Sequence, residues 1–235
     1  MAKLSPSPVW QDSGFAFAGK AGDEGFIRDF MNLQYGCGLM EANGWFNCDA
    51  SPTLRLQRLP VFGALFRKFL PPLFPTSIQY GDIVKGLNLP LNSCDAIYCS
   101  HVLEHLSLED CRLALRRTHA YLKPGGNFRC VLPDFEQQVR VYLANQEATA
   151  APEFLSYTFL GRKSRPKTLM AILREYFGNS HHLWMWDYKA LAAELTAVGF
   201  KEIRRCRFGD SANADFRSVE VEGRFDWALA IECTK

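Results

Sequence analysis

The sequence predicts a single α/β domain built around a mostly parallel β-sheet. A run of buried-strand length, Cys94–Ser100, is followed by a helical pattern and by a second apolar run, 128–132. This strand–helix–strand order is typical of a βαβ unit, which requires parallel strands and a right-handed crossover. Two further β-rich runs, 200–208 and 225–233, have no helical pattern between them. We therefore expect them to pair antiparallel at an edge of the sheet.

The remaining elements follow in chain order. Ser107 and Asp110 form the capping box that begins the helix of the βαβ unit, and the glycines of Pro124–Gly126 end it. Asp187 and Gly199 have the chemistry of the first and last positions of a later helix. Short apolar runs predict three earlier strands, at 30–35, 45–50 and 77–80.

Three segments interrupt this α/β pattern. Residues 1–29 are rich in glycine, serine, proline and charge, and are predicted to be a lead-in with little structure. Residues 51–80 form a basic and aromatic insertion without a single acidic residue, and 135–186 are predicted to be a helical lid. The basic residues of both insertions indicate either an anionic or amphipathic acceptor, or only a solvated basic face. Those residues are Arg55, Arg58, Arg67, Lys68, Arg162, Lys163, Arg165, Lys167 and Arg174.

Composition excludes several classes of protein. The 235 residues include 48% hydrophobic and 22% charged side chains, which is the balance of a globular protein with a substantial core. A formal net charge of +2 does not favour nucleic-acid binding, and no RNA-binding module accompanies the basic residues. The eight cysteines show no CxxC spacing, so we expect reduced, buried thiols in a cytoplasmic protein. No signal peptide or membrane-spanning run is predicted, although 61–75 could dock on a membrane or a partner.

The stretch LQYGCG, 33–38, raises the question of a cofactor. A glycine pair at the end of a strand allows close approach of a ligand to the backbone, but a lone GxG is more often a tight turn. Asp49 ends the next predicted strand, where an acidic side chain can accept the hydroxyls of a ribose. A nicotinamide-cofactor dehydrogenase is not favoured, since it needs G-x-G-x-x-G opening a helix.

Five motifs occur in a fixed order between Asn32 and Asp134: GCG, GWFNCD, HVLEHL, LKPGG and PD. In this order they resemble the class I S-adenosylmethionine-dependent methyltransferases, and most closely a short branch of predicted methyltransferases. The resemblance resumes from His182 to Phe200. It departs from the family at Gln34, where an acid is usual, and at Met40, where a third glycine is usual.

The resemblance implies a Rossmann-like, seven-stranded, mostly parallel sheet with one antiparallel edge strand. S-adenosyl-L-methionine would lie over the carboxyl ends of the strands. Position by position, the methionine part would contact Gly36, Cys37 and Gly38, and the ribose would contact Asp49. The adenine would contact Asp82 and Ile83, and the methyl-transfer site would be faced by Ser100 and His101.

The segment His101-x-x-Glu104-His105 is the predicted catalytic group. On a helical turn these three side chains project to one side, and a histidine can remove a proton from an acceptor hydroxyl. Some O-methyltransferases of the superfamily bind a metal through a related motif, which His181 or His182 would complete here. The other alternative is that Glu104 braces the following loop. We assign no metal ligand from the sequence.

The sequence therefore predicts an S-adenosylmethionine-dependent methyltransferase acting on an oxygen atom of a small, anionic or lipid-linked, sugar-like acceptor. In such a reaction the enzyme mainly aligns the two partners. One alternative is a protein that binds the cofactor without turnover, as Gln34 and Met40 suggest. Another is a membrane-peripheral or complex-forming module that docks through 61–75.

Overall fold

A computed structural model describes residues 31–60, 63–69, 71–162, 164–165, 168 and 181–235. The predicted lead-in, 1–29, lies outside the described residues. Parts of the two predicted insertions, 51–80 and 135–186, lie outside them as well.

A seven-stranded sheet organises the described residues, in the order β3-β2-β1-β4-β5-β7-β6. Neighbouring strands from β3 to β5 are parallel, whereas β7 runs antiparallel to both β5 and β6. The predicted α/β class is confirmed. The antiparallel strand lies one place in from the edge, and β6 forms the edge itself. The strands are β1 Asn32–Tyr35, β2 Trp45–Asp49, β3 Gln79–Tyr80, β4 Cys94–Ser100, β5 Leu122–Pro133, β6 Lys201–Arg205 and β7 Ala228–Thr234.

The helices begin where the capping residues predict. Ser107 Oγ accepts a hydrogen bond from the backbone N–H of Asp110 at 3.2 Å, and Asp187 caps its helix through Ala190 at 2.8 Å. Gly199 ends that helix with φ of 111°. No helix within the described ranges is long and apolar enough to cross a membrane. The helices are α1 Pro52–Gln57, α2 Gly63–Phe69, α3 Leu108–Tyr121, α4 Phe135–Ala144, α5 Ala150–Tyr157 and α6 Tyr188–Val198.

The glycines after α3 differ from their predicted role. They were expected to form a turn, but α3 ends at Tyr121 and Pro124–Gly126 already belongs to β5. Leu122 pairs with Cys94 and Asn127 with Ala96, so β5 advances five residues while β4 advances two. The glycines therefore form a bulge, which Gly125 permits with its φ of 79°.

Strand β4 lies at the centre of the core and contributes to both faces of the sheet. Ile97 and Cys99 pack in the cluster that contains Leu115 of α3, whereas Ala96 and Tyr98 pack in a cluster on the other face. All eight cysteines are free, and seven of them are buried, as predicted for reduced core thiols.

Two arginines of the 51–80 insertion bond to its own backbone. Arg58 donates to the carbonyl of Ile78 at 2.8 and 3.1 Å and also to that of Pro75. Arg67 donates to the carbonyl of Phe74 at 2.9 Å. Because these guanidinium groups stabilise an irregular segment, they favour a structural role over recognition of an anionic acceptor.

Candidate functional site

The functional cleft lies where the order of the strands reverses. Strand β1 has β2 on one side and β4 on the other, so the connections that leave β1 and β4 diverge. In open α/β sheets this point, at the carboxyl ends of the strands, is where ligands bind. The cleft here is lined by residues of both strand ends and of a late loop: Gln34, Gly36, Cys37, Met40, Tyr98, Ser100, Val219 and Arg224.

Gly36 allows the two strand ends to approach each other. Its φ is +66°, and a Cβ at this position would lie 2.2 Å from Cγ2 of Val102, in the loop after β4. Real Cβ atoms do not approach other carbon atoms so closely, so a larger residue would push the two loops apart. Glycine is therefore required here by a close approach as well as by the backbone conformation.

Gly38 and Asp49, which are eleven positions apart in the sequence, meet directly. The N–H of Gly38 donates to Oδ2 of Asp49 at 2.9 Å, and the N–H of Ser51 donates to Oδ1 at 2.7 Å. Gly38 has φ of +58°, and a Cβ there would meet nothing within 4 Å. The structure thus brings the glycine corner and the predicted ribose acid together beside open space.

Cys37 lies between the two glycines of this corner, and its backbone bonds to β2 while its side chain packs in the core. Its N–H donates to the carbonyl of Cys48 at 3.2 Å, and its side chain lies in a buried cluster with Leu54, Phe74 and Ile78. Burial, with a smaller contribution from the charge of Asp49, raises the pKa of the Cys37 thiol to about 12. At neutral pH the thiol is therefore uncharged and does not act as a nucleophile.

The predicted adenine residues follow β3. The N–H of Gly81 donates to the carbonyl of Asp49 at 3.1 Å, which places this turn beside the end of β2. Asp82 accepts from the N–H of Val84 at 3.0 Å and from Nζ of Lys85 at 2.7 Å. Ile83 packs in the main core, so its side chain stabilises the turn, and mainly its backbone is available to a ligand.

Three buried polar atoms of the cleft have no hydrogen-bond partner among the described residues: Oε1 of Gln34, Oη of Tyr98 and Oγ of Ser100. Burial of a polar group without a partner is costly, which makes such atoms candidates for ligand contact. Arg224 also lines the cleft, and it takes part in none of the ion pairs among the described residues. The cleft therefore offers three oxygen atoms without a hydrogen-bond partner and one basic residue.

His101 follows β4 in a strained backbone conformation, with φ of +56°. Its Nε2 lies 3.1 Å from the carbonyl oxygen of Arg224, which can only accept, so Nε2 carries the proton. Its Nδ1 lies 3.3 Å from Oε1 of Glu104. Burial lowers the pKa of His101, but the hydrogen bond and charge of Glu104 outweigh it and raise the pKa above its usual value.

Glu104 is fully buried at the centre of a group of histidines. Besides His101, it faces Nε2 of His105 at 4.0 Å, and the His105 ring packs edge-on against His182 with centroids 4.9 Å apart. The backbone N–H of Leu183 donates to the carbonyl of Glu104 at 2.7 Å. Burial lowers the pKa of His182, and the charge of Glu104 opposes that shift.

Sequence reasoning assigned no site role to several residues of the cleft. Tyr98 lies two positions before Ser100 in β4, and Gln34 lies two before Gly36, so strand alternation places each pair on one face. That alternation was a usable signal. Val219 and Arg224 come from a segment more than a hundred residues further along, and no local pattern marks them.

Comparison with known families agrees with this geometry. Residues 33–130 match a family model described as "Methyltransferase domain". The match runs from β1 into β5 and includes Gly36, Asp49 and His101–His105. Residues 33–130 have the sequence of a methyltransferase domain. The predicted class I S-adenosylmethionine-dependent superfamily is confirmed, and so, at the level of the family, is S-adenosyl-L-methionine as its cofactor.

Solved structures with a similar chain path include a SAM-dependent methyltransferase from Archaeoglobus fulgidus. It is 14% identical in sequence, with a TM-score of 0.44, and the match covers 88% of this chain and 86% of that chain. The YcgJ protein from Bacillus subtilis is 15% identical, with a TM-score of 0.45 and coverage of 88% and 92%. A putative methyltransferase complexed with the Haloferax volcanii Trm112 activator is 16% identical, with a TM-score of 0.45 and coverage of 88% and 82%. No protein with a curated description matches the sequence.

The residues of the methyltransferase domain fit the cofactor of its family. The amino-acid end of the cofactor carries an ammonium group, and the cleft offers it the unpartnered oxygen of Gln34. The ribose needs a hydrogen-bond acceptor, and Asp49 ends β2 beside the open space at Gly38. No helix separates β1 from β2 in the described chain, so the corner between these strands is short.

Proposed function

We propose that this methyltransferase domain methylates an oxygen atom of a small or lipid-linked, sugar-like acceptor that carries negative charge. The observation that carries the proposal is the cleft at the ends of β1 and β4. It combines buried oxygens that lack a hydrogen-bond partner with Arg224, which forms no ion pair with any other described residue. A guanidinium without an acidic partner is suited to a carboxylate or phosphate.

We assign the cofactor to the β1–β2 side of this cleft. The backbone of Gly36, Cys37 and Gly38 would line the methionine part, and Asp49 would accept the ribose hydroxyls. Asp82 and the backbone of Ile83 would border the adenine. When bound, S-adenosyl-L-methionine supplies an electrophilic methyl group on a sulfonium, and the protein contributes alignment and exclusion of water.

On the β4 side we assign the acceptor to the vicinity of Ser100 and His101. Both ring nitrogens of His101 face oxygen acceptors in this structure, so the ring can act as a base only after Nε2 has lost its proton to solvent and has turned away from the carbonyl of Arg224. The acceptor hydroxyl would then take the place of the Arg224 carbonyl oxygen as the hydrogen-bond partner of Nε2. Glu104 holds Nδ1 and orients the ring, as a carboxylate does for a general base, and His105 braces Glu104.

The decisive experiment separates cofactor binding from turnover. Calorimetry with S-adenosylhomocysteine should show binding, and a screen of phosphorylated sugars and lipid-linked glycans should release S-adenosylhomocysteine with at least one acceptor. Binding without release from any acceptor would favour the alternative of a non-catalytic cofactor-binding protein. Absence of binding at millimolar ligand would contradict the assignment of the cleft.

A peripheral membrane contact is a second proposal, and it is supported by exposed side chains in the 61–75 segment. Leu65, Phe69 and Leu73 are each more than half exposed, beside Lys68 at the end of α2. Apolar side chains with adjacent basic groups favour an anionic membrane surface. Flotation with anionic vesicles should carry the wild-type protein upward and should lose the variant Leu65→Ser/Phe69→Ser. Equal flotation of the two would contradict this role.

A further inference from the structure

The strongest unexplained feature outside the cofactor corner is the group formed by Glu104, His105 and His182. Glu104 has no exposed surface, and neither of its carboxylate oxygens receives a hydrogen bond of good geometry from the described residues. One ligand-capable atom of each residue lies within 4.8 Å of the others. A buried carboxylate costs free energy unless a cation or a set of donors faces it.

The hydrogen bonds around the group determine which ring nitrogens point inward. Nδ1 of His105 lies 3.0 Å from the carbonyl oxygen of His181, so Nδ1 carries the proton and Nε2 has the free lone pair. The ring of His182 bonds to the backbone of Thr158, and its Nδ1 is buried without a partner. In neutral rings, Nε2 of His105 and Nδ1 of His182 are therefore the atoms left with a free lone pair.

Glu104 also faces His101, but His105 and His182 each offer it a lone pair, and these three acceptors repel one another unless a cation lies between them. Two imidazole nitrogens and a carboxylate oxygen form the donor set that zinc and similar ions prefer in proteins. In such sites the second nitrogen of each histidine typically donates to a backbone carbonyl or a carboxylate, and both histidines here do so. These bonds fix the tautomers before any ion arrives.

We propose that Glu104, His105 and His182 form a binding site for a divalent transition-metal ion, with Zn²⁺ as the best-matched ion. The backbone prepares the site, because the N–H groups of Leu183 and Trp184 both donate to the carbonyl of Glu104, at 2.7 and 3.2 Å. The ion would join the loop after β4 to the segment that precedes α6.

Three protein ligands leave at least one coordination position open, as in catalytic zinc sites. Because Glu104 also faces His101, the ion would lie on the β4 side of the cleft, where an acceptor hydroxyl could occupy the open position. Coordination lowers the pKa of a bound hydroxyl, which would assist its methylation. This consequence rests on the proposed function, whereas metal binding itself does not.

The test uses a binding signal that needs neither cofactor nor acceptor. Chelator-treated full-length protein is titrated with Co²⁺, and Zn²⁺ is then added as a competitor. We expect visible ligand-field absorption at one equivalent, without a thiolate charge-transfer band, and loss of the absorption when Zn²⁺ is added. Absence of the absorption, or a thiolate band from the cysteines, would overturn the proposal.

Matched variants identify the ligands. Loss of a partner outside the coordination shell alone weakens metal binding about 10- to 100-fold, so His182→Ala should weaken Zn²⁺ binding by more than about 100-fold. His119→Ala is the control, since His119 packs on Phe200 away from the group. Equal Zn²⁺ affinity in the two variants would overturn the assignment.

A measurement on the wild type guards against a variant that does not fold. The imidazole ¹⁵N signals of the five histidines are followed during addition of Zn²⁺. We expect the inward nitrogens of two rings to shift and the signals of His119 to stay unchanged. A shift of no ring, or of His119, would overturn the site even if methyl transfer were demonstrated.

Discussion

The two sides of the cleft are assembled from different distances along the chain. On the β1–β2 side, Asp49 binds the N–H groups of Gly38 and Ser51, which lie eleven and two residues away. On the β4 side, His101 contacts Arg224, which is 123 residues away, and His105 contacts His181, which is 76 residues away. One side is a local structure, and the other exists only when distant segments pack together.

This difference has a consequence for stability and for function. A corner held by neighbouring residues can keep its shape when other parts of the sheet loosen, because little loop-closure entropy opposes it. The β4 side depends on the loop at 222–224 and on the segment at 181–184. We therefore expect changes on the β4 side to alter turnover, and changes on the β1–β2 side to alter cofactor binding.

The largest effect is expected at His101. The variant His101→Asn keeps a residue that tolerates positive φ but removes the base, so turnover should fall about 100- to 10,000-fold. Calorimetry with S-adenosylhomocysteine should show unchanged affinity, because the cofactor corner does not involve this ring. An equal loss of binding and turnover would show that the two sides are not separable.

Substitution of Gly36 is expected to have the next largest effect. It should lower the stability of the fold as well as the affinity for the cofactor. Gly36→Ala adds a methyl group 2.2 Å from Val102 in a backbone with φ of +66°. Together, conformational strain and overpacking should lower the free energy of unfolding by about 2–5 kcal/mol in urea titrations.

Gly38→Ala is the matched control for that variant. It has the same sign of φ but no neighbour within 4 Å, so it should lower the free energy of unfolding by only about 1–2 kcal/mol. Adding Val102→Ala should relieve Gly36→Ala and not Gly38→Ala, which a double-mutant cycle measures. Equal costs for the two glycines would contradict a close approach at position 36.

Asp49 should affect the cofactor more than the fold. Asp49→Ala removes two backbone hydrogen bonds and the proposed ribose contact, so affinity for S-adenosylhomocysteine should fall about 100-fold. Calorimetry measures the loss of affinity for S-adenosylhomocysteine. Thermal unfolding without ligand measures how much stability the two lost backbone hydrogen bonds contributed. Unchanged affinity would show that Asp49 only closes the corner.

Substitution of Arg224 tests which of two negatively charged groups this residue binds, the carboxylate of the cofactor or the anionic group of the acceptor. Arg224→Met should weaken the binding of its anion about 10- to 100-fold, which is the contribution of one charged hydrogen bond or ion pair. A loss of affinity for S-adenosylhomocysteine would assign the guanidinium to the cofactor. A rise in the KM of the acceptor alone would assign it to the acceptor, and no change in either would remove it from the site.

The smallest effect on activity is expected in the basic insertion. Arg58→Met removes hydrogen bonds to Pro75 and Ile78 and should lower the free energy of unfolding by about 1–2 kcal/mol. The KM of the acceptor should stay unchanged, because this guanidinium faces its own backbone. A raised KM without loss of stability would restore the insertion as an acceptor site.

Much of the fold could be predicted from the sequence because its signals are local. The caps at Ser107 and Asp187 and the glycine stop at Gly199 lie within a turn of the helices that they define. The apolar run of β4 needs no partner to be recognised as a buried strand. The bulge at Pro124–Gly126 was misread, because the same residues that end a helix also permit a bulge in a strand.

The sequence by itself determined the α/β class, the resemblance to the family and the candidate residues Gly38 and Asp49, because motifs and periodicity are local signals. The tertiary structure alone decided that Arg224 faces His101, and that His182 meets Glu104 and His105. It also decided that the arginines of the basic insertion bond inward. These contacts join segments that only the closed sheet brings together, and side-chain chemistry does not encode distances between such segments.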